Sequence, residues 1–284
     1  MNQFSLILIF AFLFNSSYGQ HKKAYTIYTS DGTPTDYYQM LEAVKKSDII
    51  LFGEQHNSAI AHWLQLELTS DLLIDREITI GAEMFERDNQ EALDKYLKGE
   101  IDQKGLDTLA RLWSNYKTDY APLVNLAKKH QTEFVATNIP RRYASMVFRN
   151  GFEVLDTLST EEKKWIAPLP IAFDPDLPTY QNILTMMGDH GTPELVKAQA
   201  IKDATMAYSI LENKVENRLF LHYNGAYHSD FYEGIVWYLK LSEPDLKYLV
   251  ISTVTQKELA SLEEEHLNKA DFIIVVNENV TTTY

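Results

Sequence analysis

The sequence predicts an α/β fold: a mostly parallel sheet with helices on both faces and a helical insertion. Six short apolar runs lack the alternation of half-exposed strands, as strands covered on both faces do. Stretches with apolar residues at spacings of three and four separate these runs and are typical of helices. The predicted strands are residues 48–52, 78–82, 133–137, 218–221, 248–253 and 272–276.

The clearest helices lie between the first three of these strands. Residues 60–76 and 90–97 repeat apolar side chains at helical spacing. Residues 120–130 do the same and end in Lys128, Lys129 and His130, cations that the C-terminal end of a helix dipole favours. Strands that alternate with helices in this way form parallel sheets.

Residues 151–215 break this alternation, and we expect them to form a helical insertion over one end of the sheet. Ser159 or Thr160 begins a short capped helix. Prolines then interrupt the chain until Pro193 opens a longer helix. Because no tract is long enough to be a linker, residues 20–284 are predicted to form one domain.

An apolar run at residues 4–14 is too short for a transmembrane helix but has the length of a signal-peptide core. Small residues at positions 17 and 19 predict cleavage before Gln20. We therefore expect residues 1–19 to be a signal peptide and the protein to be exported, either periplasmic or secreted.

The composition excludes several classes of protein. The chain has 284 residues, 40 of them acidic and 26 basic, and no cysteine. Without thiols there is no disulfide framework, zinc ribbon, iron–sulfur cluster or lipoprotein anchor. A net charge of −14 argues against nucleic acid as a partner.

The polar residues 277–284 are expected to be frayed.

Polar side chains follow four of the predicted strands. Because ligands bind outside the carboxyl ends of parallel strands, we expect these side chains to meet in one crevice. The pattern Gly-x-x-His occurs twice, at 53–56 and 225–228, and glycine lets the chain leave the strand sharply. The candidates, in strand order, are Glu54 and His56; Glu83 and Glu86; Asn138, Arg141 and Arg142; His222, Asn224 and His228.

Three chemistries fit this set of residues. Glu54, His56, Glu83 and His228 suit a divalent metal that activates water for hydrolysis. The same residues suit general acid–base catalysis without a metal. Alternatively, the crevice binds an anionic cofactor whose carboxylates meet Arg141 and its neighbouring arginine. The sequence contains no His-Glu-x-x-His helix, Gly-x-Ser-x-Gly elbow, Walker loop or Gly-x-Gly-x-x-Gly fingerprint.

A set of short motifs follows one order along most of the chain, from about residue 48 to 236. They are Leu-Phe-Gly-Glu-Gln-His at 51–56, Glu-Met-Phe-Glu at 83–86, Gln90 with 93–99, Trp113 with Tyr-Ala-Pro-Leu at 120–123, Thr-Asn-Ile-Pro-Arg at 137–141, Ala-Gln at 198–199 with Asp-Ala-Thr-Met-Ala at 203–207, and Gly-Ala-Tyr-His at 225–228. In this order they resemble the ChaN-like haem-binding uptake family of the Tiki superfamily.

The resemblance implies an exported α/β domain that binds haem and takes part in haem or iron uptake. It also implies a tyrosine ligand to the iron and two stacked haems between two subunits, hence a homodimer. It does not identify an outer-membrane or periplasmic transport partner. Related branches of the superfamily are proteases or hydrolases that depend on the strand-end Glu and His residues. The chain departs from the family because it lacks the lipidation cysteine common in ChaN proteins.

The residues themselves permit haem binding without assigning the iron ligand, and Tyr143, Tyr223 and Tyr227 are supported as tyrosine ligands as well as Tyr180 is. Tyr180, Met186, Met187 and His190 lie on a segment bounded by Pro and Gly that could cover a flat apolar ligand. The cofactor-binding candidates are Asn138, Arg141, Tyr180, His190 and Asn224. Two hypotheses stay open from the sequence: an exported haem-binding protein, or a Tiki-like metal-dependent hydrolase or peptidase that uses the strand-end Glu and His residues.

Overall fold

The computed structural model describes residues 22–284, so the predicted signal peptide lies outside the described residues. Within this range, eight strands form a single mixed sheet. The strands are β1 (Tyr25–Thr29), β2 (Pro34–Thr35), β3 (Ile49–Glu54), β4 (Ile78–Glu86), β5 (Phe134–Asn138), β6 (Leu219–Gly225), β7 (Tyr248–Gln256) and β8 (Phe272–Asn277).

The strand order is β2-β1-β8-β7-β3-β6-β4-β5. All six strands from β3 to β8 pair in parallel, with β3 between β6 and β7 at the centre. Only β1 and β2, at one edge, pair antiparallel. The predicted mostly parallel sheet is therefore confirmed, and the two antiparallel edge strands are an addition to the six predicted.

Helices cover both faces of the sheet, as predicted. None of those within residues 22–284 is both long and apolar enough to cross a membrane. The α-helices of this part of the chain are α1 (Tyr37–Val44), α2 (Ala59–Asp75), α3 (Gln90–Leu97), α4 (Gln103–Leu109), α5 (Ala121–His130), α6 (Arg141–Asn150), α7 (Thr160–Lys163), α8 (Pro178–Met187), α9 (Pro193–Asn213) and α10 (Ile235–Ser242).

Side chains of each strand alternate between two hydrophobic cores. On β3, Ile50 and Phe52 face a core shared with α2, α3 and α5, which we call the first face. Ile49 and Leu51 face a core shared with α9 and α10, which we call the second face. Because every residue of β3 is buried, the strand reads as a continuous apolar run until its polar end.

Helix α2 shows why the sequence folds in this way. The Ser58 side chain accepts a hydrogen bond from the Ala61 backbone N–H and so caps the first turn. Leu64, Leu68 and Leu72 then form a fully buried stripe against the first face. The observed helix confirms the predicted one to within a residue at each end.

Four strands run two or more residues further than predicted: β7 continues through Gln256, and the other three carry site residues. β3 continues through Glu54, β4 through Glu86, and β6 through Gly225, which includes His222 and Asn224. The prediction stopped at the last apolar residue, because polar side chains usually mark loops. Here they remain in the strands because they are buried and bonded to other protein groups.

The prediction of a frayed C-terminal segment is wrong. Thr282 forms a β-bridge with Ser58, and the Thr283 N–H donates to the Asn57 carbonyl at 3.0 Å. The Thr283 hydroxyl also donates to a carboxylate oxygen of Asp119 at 2.9 Å. These polar side chains meet partners that are distant in sequence, which composition alone does not reveal.

Replacing Leu68 by alanine should destabilise the protein by about 2–5 kcal/mol, because a fully buried side chain leaves a cavity in the first-face core. The control is Ile74→Ala on the same helix, where the side chain is 81% exposed and the expected change is within about 0.5 kcal/mol. Urea unfolding of both variants measures the difference. Equal shifts of the two midpoints would contradict the described orientation of α2.

Candidate functional site

The carboxyl end of β3 carries the first acidic residue of the predicted site. Glu54 has a fully buried side chain on the first face. Its Oε1 accepts a hydrogen bond from the Tyr120 hydroxyl at 2.7 Å and lies 2.9 Å from His56 Nδ1. Its Oε2 accepts from the Gln65 amide at 2.6 Å. The carboxyl group therefore orients the His56 ring and is itself held by α2 and by the residue before α5.

A second imidazole supports this carboxyl group from behind. His62 on α2 lies 3.6 Å from Glu54 Oε2 through Nδ1 and 3.5 Å from Asp119 Oδ2 through Nε2. A π-helical turn, Tyr116–Tyr120, precedes α5 and leaves the consecutive residues Asp119 and Tyr120 both buried. Such turns are frequent at functional sites.

The end of β4 carries the second acidic residue, on the second face. Glu83 Oε1 lies 3.2 Å from His228 Nε2, and its Oε2 accepts from the Gly225 N–H at 2.7 Å. Nδ1 of His228 is bonded to Asp203 on α9, and the Gln199 amide, one turn earlier, lies 3.0 Å from the same ring nitrogen. The imidazole is thus held between two buried carboxylates, one from the sheet and one from a helix.

Two glycines let these clusters approach each other. A Cβ on Gly225 would lie 2.8 Å from Cε1 of His56 and 3.5 Å from Oε2 of Glu83. A Cβ on Gly53 would lie 2.8 Å from the backbone Cα of Ala226. The Gly-x-x-His pattern therefore reflects close packing of backbone against side chains, since Cβ contacts this short do not occur.

The charges in the second cluster support each other. Burial opposes protonation of His228, but the carboxylates of Glu83 and Asp203 raise its pKa to about 10. Burial would raise the pKa of Glu83, but the His228 charge holds it well below its usual range. At neutral pH this pair is an imidazolium and a carboxylate.

His56 has a more moderate environment. Burial opposes its protonation, but the hydrogen bond to Glu54 and the charge of Glu83 bring its pKa above the ordinary value. Its side chain is 36% exposed, whereas that of His228 is 7% exposed. Of the two rings, His56 is thus the one that solvent or a ligand reaches.

Both clusters open into one cleft of about 690 Å³ at the carboxyl edge of the sheet. Trp113 packs edge-on against His56, with ring centres 4.9 Å apart. Ile139, Ala144 and Val254 add apolar surface. The volume lies within the range of pockets that hold small molecules and cofactors, about 300–1,000 Å³.

Cationic side chains surround the acidic floor of this cleft. Arg141, Lys202 and Lys269 line it. Lys269 lies 3.6 Å from Asp230, whereas Arg141 and Lys202 are in no ion pair with the side chains that the structure describes. The cleft therefore presents two unpaired positive charges beside buried carboxylates, an arrangement that suits a ligand carrying charges of both signs.

Seven predicted site residues come together as lining of the cleft: Glu54, His56, Glu83, Glu86, Asn138, Arg141 and His228. Asn138 is buried, and its Oδ1 has no hydrogen-bond partner among the described residues. Arg142, in contrast, bonds to Asp88 and lies 4.4 Å over the Tyr143 ring.

The remaining predicted residues lie beneath or beside the cleft. Asn224 is buried and donates to the Gly225 carbonyl and the Ser229 hydroxyl, both at 3.0 Å. Tyr180 is buried and donates to Asp203 at 2.9 Å. His190 is exposed on a short turn and is not among the lining residues. None of these three borders the cleft.

His222 is also buried and contacts the Thr137 hydroxyl at 2.8 Å through Nε2. Its Nδ1 lies 3.1 Å from the Asn224 side-chain oxygen. Burial lowers the pKa of His222 to about 4, so the ring is neutral at pH 7. Its hydrogen bonds belong to the support beneath the cleft.

The four residues predicted as metal ligands form two separate pairs. The oxygens of Glu54 and Glu83 already accept hydrogen bonds from protein groups. Among residues 22–284, the carboxylates and imidazoles whose ligand atoms all lie within 4.8 Å of one another are those of Glu263, Glu265 and His266. A metal held by the four cleft residues would require them to rearrange, and that site stays a prediction.

Sequence reasoning missed the residues that hold this site in place. A signal was present for two of them, which are polar residues inside an otherwise apolar helical face: Gln65 lies between Leu64 and Leu68, and Asp203 lies among small apolar residues of α9. The missed residues are His62, Gln65, Asp119, Tyr120, Gln199, Lys202 and Asp203.

A family model described as haem-binding uptake, Tiki superfamily, ChaN matches residues 40–239. Among solved structures, ChaN of Campylobacter jejuni, described as binding haem cofacially, is similar with a TM-score of 0.67 and 18% identity, over 89% of this chain and 96% of that one. No curated protein sequence matches the chain.

Two further solved structures share the fold at lower similarity. A Bacillus cereus protein has a TM-score of 0.52 and 10% identity, over 84% of this chain and 90% of that one. A succinoglycan biosynthesis protein has a TM-score of 0.53 and 10% identity, over 89% of this chain and 96% of that one. At these identities the likeness concerns the fold alone.

We expect His228 to stay protonated well above neutral pH. NMR titration of its ring should give a pKa of about 10, and Asp203→Asn, which removes one of the two carboxylates, should lower it towards 6.5. Tyr180→Phe is the control, since it keeps that carboxylate and removes only one of its hydrogen bonds. An unchanged His228 pKa in Asp203→Asn would contradict the described pairing.

The same pairing predicts a pH dependence of stability. Because the folded pKa is raised, the contribution of His228 is fully present below pH 6.5 and is lost as the pH rises towards about 10. The urea midpoint of the wild type should fall more steeply over this range than that of Asp203→Asn. Parallel curves for the two proteins would show that the pair does not act on folding.

Proposed function

The chain belongs to the ChaN haem-binding uptake family of the Tiki superfamily, and we propose that it binds haem in the cleft at the carboxyl edge of its sheet. The family resemblance of the sequence motifs is confirmed by the match over residues 40–239. The observation that carries the proposal is the cleft itself, which combines an acidic floor, apolar walls and two unpaired cations.

Each part of haem has a counterpart in this cleft. The apolar macrocycle suits walls that include Trp113 and Ile139. The two propionates suit Arg141 and Lys202, because guanidinium and ammonium groups bind carboxylates. The positive charge of ferric iron suits a floor that holds more carboxylates than imidazolium ions. Together these features favour haem over a ligand that carries only positive or only negative charge.

Tyr227 is the tyrosine among the cleft-lining residues, and we propose it as the iron ligand. Its ring is 41% exposed, and its hydroxyl contacts the Asn182 amide at 3.2 Å and the Met186 sulfur at 2.6 Å. Tyrosine oxygen is an established type of haem ligand. Tyr180 and His190 stay predictions as ligands, and the Tyr180 hydroxyl is already used by Asp203.

We also propose export, a role in haem uptake, and a homodimer that holds two cofacial haems. The apolar run at residues 4–14 supports export. The description of the family supports uptake, and the cofacial haems of ChaN of Campylobacter jejuni support the paired arrangement.

A second candidate function is hydrolysis, because the two cleft histidines have different environments. Nδ1 of His56 is hydrogen-bonded to Glu54, while its Nε2 has no hydrogen-bond partner among the described residues. A general base requires such a free ring nitrogen to accept a proton. The charge of His228 would stabilise negative charge on a substrate oxygen. The Glu83 carboxylate would keep the His228 ring protonated. Because the carboxylates of the cleft already accept hydrogen bonds from protein groups, this arrangement favours acid–base hydrolysis over the metal-dependent form.

Titration of the haem-free protein with ferric haem should produce a new Soret band. Tyr227→Phe should weaken binding at least about tenfold and change the ligand-sensitive visible bands, since it removes the iron ligand. Tyr38→Phe is the control, because Tyr38 is 74% exposed and does not line the cleft. A folded wild-type protein that gives no band at micromolar haem would overturn the haem proposal.

If the cleft hydrolyses esters, p-nitrophenyl acetate should be cleaved, and His56→Gln and Glu54→Gln should each lower the rate about 100-fold or more. EDTA should leave the rate unchanged. Glu86→Gln is the control, because it removes a different carboxylate of the cleft, and it should change the rate little. A rate in Glu54→Gln equal to that of the wild type would remove the hydrolase candidate.

A further inference from the structure

A separate cluster of metal-ligating side chains lies on the segment between β7 and β8. Glu263, Glu265 and His266 each offer one ligand atom, and these atoms lie within 4.8 Å of one another. A 3-10 turn, Glu264–His266, brings them together. Carboxylate and imidazole are ligands that divalent first-row metal ions accept.

The imidazole of His266 independently points to a ligand. Its side chain is 10% exposed, and its Nδ1 is buried without a hydrogen-bond partner among the described residues. Its Nε2 lies 3.7 Å from Glu265 Oε1, beyond hydrogen-bond distance but towards the cluster. Few polar side chains in native proteins are buried without a partner.

The backbone of this segment is held in place before any ion binds. Gln256 is buried, and its amide donates to the carbonyls of Glu258 and Ser261, both at 3.1 Å. Its side-chain oxygen accepts from the Glu263 N–H at 3.2 Å. Because one buried side chain fixes three points of the segment, the carboxylates extend from an ordered backbone, which lowers the entropic cost of binding an ion.

The local charge also favours a cation. Glu263 and Glu264 are in no ion pair with the side chains that the structure describes, and Glu265 has only the His266 contact. The ammonium of Lys269 lies 3.6 Å from Asp230 and 5.3 Å over the Phe231 ring, so its charge is already directed to another carboxylate. Neighbouring carboxylates repel one another, and a divalent cation relieves this repulsion.

We propose that Glu263, Glu265 and His266 form a binding site for a divalent transition-metal ion at the rim of the cleft. His266 also lines the cleft, so the site adjoins the proposed haem position. This proposal does not depend on haem binding or on hydrolysis.

Calorimetric titration of the untagged, haem-free protein with Zn²⁺ tests this site. We expect one Zn²⁺ per chain at the site and at least about tenfold weaker binding in Glu265→Gln and His266→Gln. The matched control is Glu264→Gln, which removes the same charge from the same turn but no proposed ligand, and it should change the Kd less than about twofold. Co²⁺ absorption gives a second readout of an imidazole ligand.

Three outcomes would overturn the proposal. The wild type binds no Zn²⁺; Glu264→Gln weakens binding as much as Glu265→Gln, which would indicate diffuse attraction by acidic residues; or His56→Gln abolishes binding, which would place the ion on the cleft floor. Glu265 is 75% exposed, so its variant tests the site even if His266→Gln does not fold.

Discussion

Burial of carboxyl groups at the edge of a parallel sheet is the constraint on which this structure depends. An isolated buried carboxylate is costly, so each one must be paired with a positive charge or with hydrogen-bond donors. Glu83 is paired by an imidazolium and a backbone N–H, and Glu54 by a hydroxyl, an amide and an imidazole. These partners come from the sheet, from α2 and from the turns before α5 and after β6, and Asp203 on α9 is joined to them through His228. Satisfying the two side chains and His228 therefore ties a helix on each face to the same edge of the sheet.

The two clusters are built alike from opposite faces of the sheet. Each places an imidazole between two carboxyl groups: His62 between Glu54 and Asp119, and His228 between Glu83 and Asp203. His56 stands outside this symmetry, half-exposed and bonded to only one carboxyl group. His62 and His228 thus hold the site together, whereas His56 is the more exposed ring that a ligand in the cleft can contact.

Much of this arrangement could be predicted from the sequence. The apolar runs predicted the parallel strands, and the polar residues at the ends of these runs predicted one crevice. Both predictions were possible because each pattern involves residues that are neighbours in the chain. Strand β1, which lies next to the edge strand β2, was missed because its pattern is mixed and short. Tyr180 stays a prediction as a ligand, and its hydroxyl donates to Asp203. The packing of helices that are distant in sequence decides which tyrosine lines the cleft. A local sequence pattern does not predict that packing.

The contacts of Thr282 and Thr283 have a consequence for the order of events in synthesis. These residues bind Asn57, Ser58 and Asp119, groups that lie beside His56 and beneath Glu54. The partners were synthesised more than 160 residues earlier, as the 164-residue separation of Thr283 and Asp119 shows. The surroundings of His56 are therefore completed only after residues 282 and 283 have been synthesised.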